Sequence, residues 1–179
     1  MWSLLSIAAV ISSLFTAIVC VYGTASHYWL ENSETGESVG LWEKCQHKEG
    51  ISHVRCDPLE KSDLAAAVHA ARLFMICASA SSAVGALVII YLAGNGEQGS
   101  TAAKRVGVAM LITGLIILIG SCWYTANRST HGEGFDYGFD IKLAWCSIAS
   151  ATVAGCIVLY EYMSTTRLKK NYDELTLSI

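Results

Sequence analysis

Cys45 and Cys56 are the residues best placed to make a new covalent bond. They lie in the polar stretch 29–56, WLENSETGESVGLWEKCQHKEGISHVRC, well away from long hydrophobic runs. Their spacing closes a short hairpin, and a disulfide there is worth about 2 to 3 kcal/mol on a loop-entropy model. Such a bond belongs to an oxidising compartment. Cys20, Cys77, Cys122, Cys146 and Cys156 instead fall inside or at the ends of apolar runs, where cysteine is first of all a small packing residue. Their wide spacing builds no metal motif, and the histidines do not complete one with them.

Other chemistry is sparse. No nucleophile has an adjacent base and no glycine-rich segment forms a phosphate cradle, and Glu161 is the one carboxylate inside an apolar run. An enzyme and a bound cofactor are therefore not expected. The balance of 12 basic against 15 acidic residues leaves no footprint for nucleic acid. From Leu30 to Leu64 there are eight acidic and four basic side chains, with Glu31, Glu34, Glu37 and Glu43 leading the run. Such a field favours cations nearby, although a charged run is ordinarily just a wet surface. Asn127-Arg128-Ser129 is an N-glycosylation acceptor, set close behind the interface pair Trp123-Tyr124.

The elements that must position these groups are membrane helices. With 53% hydrophobic and 15% charged residues, the chain is too apolar for an ordinary soluble domain. Four runs, about 4–26, 66–93, 106–124 and 142–163, are each long enough to cross a hydrocarbon layer of about 30 Å. A signal peptide cut near Gly23-Thr24-Ala25 is the rival reading of the first run. It is opposed by the length of that run and by the lack of a preceding Lys or Arg.

Four spans put both termini on one side, with loops 27–65 and 125–141 opposite them. Lys104 and Arg105 in the 94–105 loop, and Arg167, Lys169 and Lys170 in the 164–179 tail, mark the terminal side as cytoplasmic. That vote is nearly balanced by basic residues in the opposite loops, and the cysteine pair and the sequon decide it. His69 and Arg72 stand early in the second run; Arg72 must reach the headgroups or a buried acceptor.

Gly107, Gly114 and Gly120 on the third run allow close helix approach. Ser147, Ala151 and Gly155 on the fourth form a small-residue face that would serve either a neighbouring helix or a second copy. In the first loop, residues 38–45 and 51–56 alternate in part around Lys48-Glu49-Gly50. An antiparallel hairpin stapled by Cys45 and Cys56 is the expected result.

Trp29, Gly40-Leu41-Trp42, Cys45 and Cys56 together resemble the W...GLW...C...C signature of the claudin, epithelial membrane protein and peripheral myelin protein superfamily. Ala70-Ala71-Arg72 resembles the start of that superfamily's second helix, and the likeness covers nearly the whole chain. Trp123-Tyr124 is similar to claudins, whereas the segments around Tyr124–Arg128 and Tyr137–Trp145 look more like epithelial membrane and lens fibre proteins. Lys142 departs from a usually apolar position.

The resemblance implies an all-α integral membrane four-helix bundle with a small extracellular antiparallel β-sheet, held by the disulfide of the two signature cysteines. It also implies a plasma-membrane protein of cell contacts. Claudins associate laterally and across cells, and charged first-loop residues line paracellular pores, a role that would fall here to Glu31, Glu34, Glu37 and Glu43. The alternative is an auxiliary subunit that modulates a channel through helix faces such as Ser147, Ala151 and Gly155. At the C-terminus, Leu177-Ser178-Ile179 fits a class II PDZ groove, and Tyr172-Asp173-Glu174-Leu175 fits a tyrosine-based sorting motif.

Overall fold

The computed structural model describes residues 3–46, 55–59, 66–126 and 134–177. Four helices carry the mass of the chain: α1 (Leu4–Ala25), α2 (Ala66–Asn95), α3 (Thr101–Ala126) and α4 (Phe139–Leu177). All four are long and apolar enough to cross a membrane. They form a ring in which α1 packs on α2 and α4, and α3 packs on the same two.

Local signals set the helix ends. Ser3 caps α1 by accepting the Ser6 N–H at 2.9 Å. Gly96, at φ 70°, turns the chain out of α2 while the Glu97 N–H bonds back to the Leu92 carbonyl at 2.9 Å. Ser100 then caps α3 through the Ala103 N–H at 3.3 Å, so the helix starts at Thr101 rather than near residue 106. Lys104 and Arg105 therefore ride on its first turns instead of closing a loop. Similarly, α4 continues through the expected tail to Leu177. Once the apolar part has nucleated the helix, adding residues is cheap, and Lys170–Glu174 at 3.8 Å supplies an i,i+4 pair.

Small polar residues and glycines make the seams. Ser13 Oγ donates to the Ser82 carbonyl at 2.8 Å between α1 and α2, and Ser150 Oγ donates to the Ser12 carbonyl at 2.8 Å between α4 and α1. The Ser81 and Thr113 hydroxyls meet at 2.7 Å between α2 and α3. Between α3 and α4 the backbones nearly touch: a Cβ on Gly155 would sit 2.9 Å from the Gly107 carbonyl oxygen. Ser147 and Ala151 are fully buried. The small-residue face of α4 is thus consumed inside the bundle, which removes it as a docking face for a channel or a second copy.

On one end of the bundle sits a five-stranded antiparallel sheet, in the order β4-β3-β2-β1-β5. Its strands are β1 (Leu30–Asn32), β2 (Glu37–Val39), β3 (Glu43–Gln46), β4 (Arg55–Pro58) and β5 (Asp136–Tyr137). The expected hairpin is present as β3–β4, with Cys45 opposite Cys56 and the disulfide formed. Its connecting turn, Lys48-Glu49-Gly50, lies outside the described residues.

Residues 38–45, read as one strand, are two. The chain reverses at Gly40–Trp42, closed by the Gly40 N–H on the Glu43 carbonyl at 2.9 Å, because Leu41 is pulled wholly into the core. One apolar cluster runs from sheet to bundle and includes Trp29, Leu30, Val39, Leu41, Met75 and Tyr124.

Gly155→Leu should overpack the α3–α4 seam and cost about 1–3 kcal/mol, read as a lower thermal unfolding midpoint in detergent. An unchanged midpoint would show that the two backbones are not in contact.

Candidate functional site

The site is the junction where the sheet meets the bundle. Trp29 stands four residues past the end of α1, and its side chain ties that corner back to the helix. Its indole N–H donates to the Gly23 carbonyl at 2.6 Å, and its ring meets Tyr124 of α3 edge-on at 5.0 Å between centroids. The Trp29 backbone is held on both sides as well, its N–H on the Val39 carbonyl and its own carbonyl accepting from Gly138.

Gly40 is required by close approach rather than by backbone angle. A Cβ there would lie 2.5 Å from both the His27 Cα and the Ser26 carbonyl oxygen, backbone atoms that cannot move aside. That approach brings Leu41 and Trp42 over the start of α2. There Arg72 Nε donates to the Leu41 carbonyl at 2.7 Å, and its guanidinium lies 4.2 Å from the centre of the Trp42 ring. The expensive charge of α2 therefore has a buried acceptor and an aromatic face. Trp42 leaves nearly half its surface exposed, and its carbonyl accepts the Leu59 N–H at 3.0 Å, joining β4 to the same point.

A third tie has no local signature in the sequence. Asp140, fully buried in the first turn of α4, accepts the Tyr28 N–H on Oδ2 at 2.9 Å, and its own N–H returns to the Tyr28 carbonyl at 3.1 Å. Gly138 allows this by keeping a Cβ out of the space of the Tyr28 carbonyl. An acidic residue opening a helix is a readable signal, but its partner lies 112 residues away.

The four acidic candidates have different surroundings. Glu37 pairs with Lys44 at 2.6 Å, and Glu43 faces His27 Nδ1 at 3.8 Å. Glu34 is exposed in the β1–β2 turn, which Asn32 Oδ1 fixes by accepting the N–H groups of Glu34 and Thr35. Glu31 lies partly buried on β1, with no ion pair among the described residues. His27, Glu43 and Cys45 converge within 4.8 Å, but the Cys45 sulfur is in the disulfide and offers no thiolate to a metal. Asn127 lies outside the described residues.

The junction thus joins a buried Trp29, a Gly-Leu-Trp reversal clamped by an arginine, and a disulfide pair across β3 and β4, and the chain that builds it matches a family model. The model of the PMP-22/EMP/MP20/Claudin family covers residues 1–158. The chain belongs to that family. A search of curated proteins finds no match to it. Membership in the PMP-22/EMP/MP20/Claudin family makes it a structural, non-catalytic membrane protein with several spans.

Two substitutions separate the ties. Arg72→Lys keeps the charge but loses the planar stack on Trp42 and the Nε donor, and should cost about 1–3 kcal/mol in detergent unfolding. Asp140→Asn keeps an acceptor for Tyr28 and should unfold near wild type, whereas Asp140→Ala should lose about 1–3 kcal/mol. Equal losses for Asn and Ala would show that the carboxylate, not the acceptor, is what the junction needs.

Proposed function

We propose that the chain is a plasma-membrane protein of cell contacts, with the sheet as its extracellular recognition surface and both termini in the cytoplasm. The observation that carries this reading is the triple tie of the sheet to the bundle by Trp29, Arg72 and Asp140. A surface held this firmly loses little freedom when it binds. The disulfide supports the outward orientation, since it calls for an oxidising side.

Copies would associate laterally within one membrane and pair across two, with the sheet presenting the contacts. The Leu177-Ser178-Ile179 terminus would dock a PDZ domain, and Asn127 would carry a glycan beside the sheet; Ser178, Ile179 and Asn127 lie outside the described residues. The auxiliary-subunit reading loses its stated surface, because Ser147, Ala151 and Gly155 are buried within the bundle.

As a paracellular barrier, the protein would pass cations better than anions, and the acidic residues would contribute unequally. Glu37 and Glu43 already face Lys44 and His27. Glu34, exposed on its turn, and Glu31 would carry most of the selectivity.

Expression in cells that lack junction strands, with freeze-fracture microscopy and ion permeability, tests this. Continuous strands with a raised cation preference are expected, and Glu34→Gln should reduce that preference more than Glu37→Gln. Surface delivery without strands or a permeability change would contradict the barrier role.

A further inference from the structure

At the end of the bundle away from the sheet, three separate segments bring polar groups together. Glu161, in the last membrane-crossing turns of α4, accepts hydrogen bonds from the hydroxyls of Ser3 and Ser6 at the start of α1. Ser6 is fully buried, and its hydroxyl lies 3.0 and 2.9 Å from the two carboxylate oxygens. Among the described residues Glu161 has no ion-pair partner. Beside it opens a cleft of about 310 Å³, to which Gln98 of the α2–α3 connection and Ser164 and Thr165 of α4 add further polar walls.

A carboxylate at this depth is costly unless something compensates its charge. The hydroxyls and the N-terminal dipole of α1 do part of this. They also leave capacity: two oxygens offer about four lone-pair sites, and the two serine hydroxyls bring only two protons, that of Ser6 shared between both oxygens, so Oε2 can still accept. A further partner at that acceptor would be a cation that donates hydrogen bonds. A bare metal ion fits poorly, since one carboxylate is a thin ligand set for a divalent cation and the cleft is much larger than an ion.

The charge arrangement beyond the cleft narrows the ligand. A neighbouring depression on α4 shares Tyr160 and Ser164 with the Glu161 cleft and carries Arg167. A negative group and a positive group thus stand along one helix, less than two turns apart, at the edge of the membrane-crossing part.

We propose that this pair of clefts binds the headgroup of a phospholipid bearing a primary amine, the ammonium on Glu161 and the phosphate on Arg167. A trimethylated ammonium carries the same charge but has no N–H to give to Oε2, so choline lipids bind less well. The apolar side chains of Leu5 and Tyr160 flank the site and receive the start of the acyl chains.

Native mass spectrometry of the full chain in detergent, with phosphatidylethanolamine or phosphatidylcholine added, tests the assignment. Retention of the ethanolamine lipid should exceed that of the choline lipid about tenfold, the ratio one charge-assisted hydrogen bond supports. Glu161→Gln should erase the difference. Ser164→Leu, which fills the cleft and leaves the serine–carboxylate bonds alone, should erase it as well. Equal retention of the two lipids by the wild type, or a preference that survives in both variants, would overturn the proposal. Displacement by soluble glycerophosphoethanolamine at equal concentration would place the ligand in solution and overturn the lipid assignment.

Discussion

An arginine near the start of a membrane helix needs somewhere to put its charge and its donors, and the fold answers with the Gly40–Trp42 reversal. Arg72 takes the Leu41 carbonyl and lies against Trp42. Left without an acceptor, that side chain would cost about 1–3 kcal/mol, a large share of a marginal stability. The reversal can reach Arg72 only because Gly40 passes against the Ser26–His27 backbone. That backbone is in turn fixed by Trp29 and Asp140. The junction is therefore a closed chain of dependences, each short tie setting the position of the next.

The two ends of the bundle meet the same requirement differently. On the sheet side, backbone groups of the loops are satisfied by indole, guanidinium and carboxylate side chains. On the opposite side, the start of α1 is closed onto α4 through serine hydroxyls and Glu161. Between them, glycine and serine contacts let the helices approach where lipid offers no hydrophobic drive to pair. The outer surface keeps its large apolar residues, such as Ile18, Leu87 and Leu115, exposed. Those residues face hydrocarbon, so exposure there is the stable arrangement.

Much of this was legible in the residues. Four apolar runs and the isolated cysteine pair mark helices and staple by local pattern alone, and Arg72 announces a constrained place by its cost in a membrane. What escaped was non-local. Asp140 reads as an ordinary first-turn acid because Tyr28, its partner, is far away in the chain. The break at Gly40–Trp42 was hidden because alternation continues across it, and only burial of Leu41 shows that the strand has turned. The extension of α4 to Leu177 follows from helix propagation, which hydropathy does not register. Pattern alone also left the partner of the small face on α4 open; α3 and α1 take it.

Three ties, by Trp29, Arg72 and Asp140, should hold the sheet as rigidly as the bundle. Hydrogen–deuterium exchange of the full chain in lipid nanodiscs tests it most directly, because the amides of Trp29, Gly138 and Leu59 donate across the ties. These amides should exchange as slowly as core-facing amides of α1, and reducing the Cys45–Cys56 bond should speed exchange in β4 while Trp29 and Gly138 stay protected. Rapid exchange at Trp29 and Gly138 with the helices still protected would contradict it, and would make the sheet a loose cover rather than a pre-set surface.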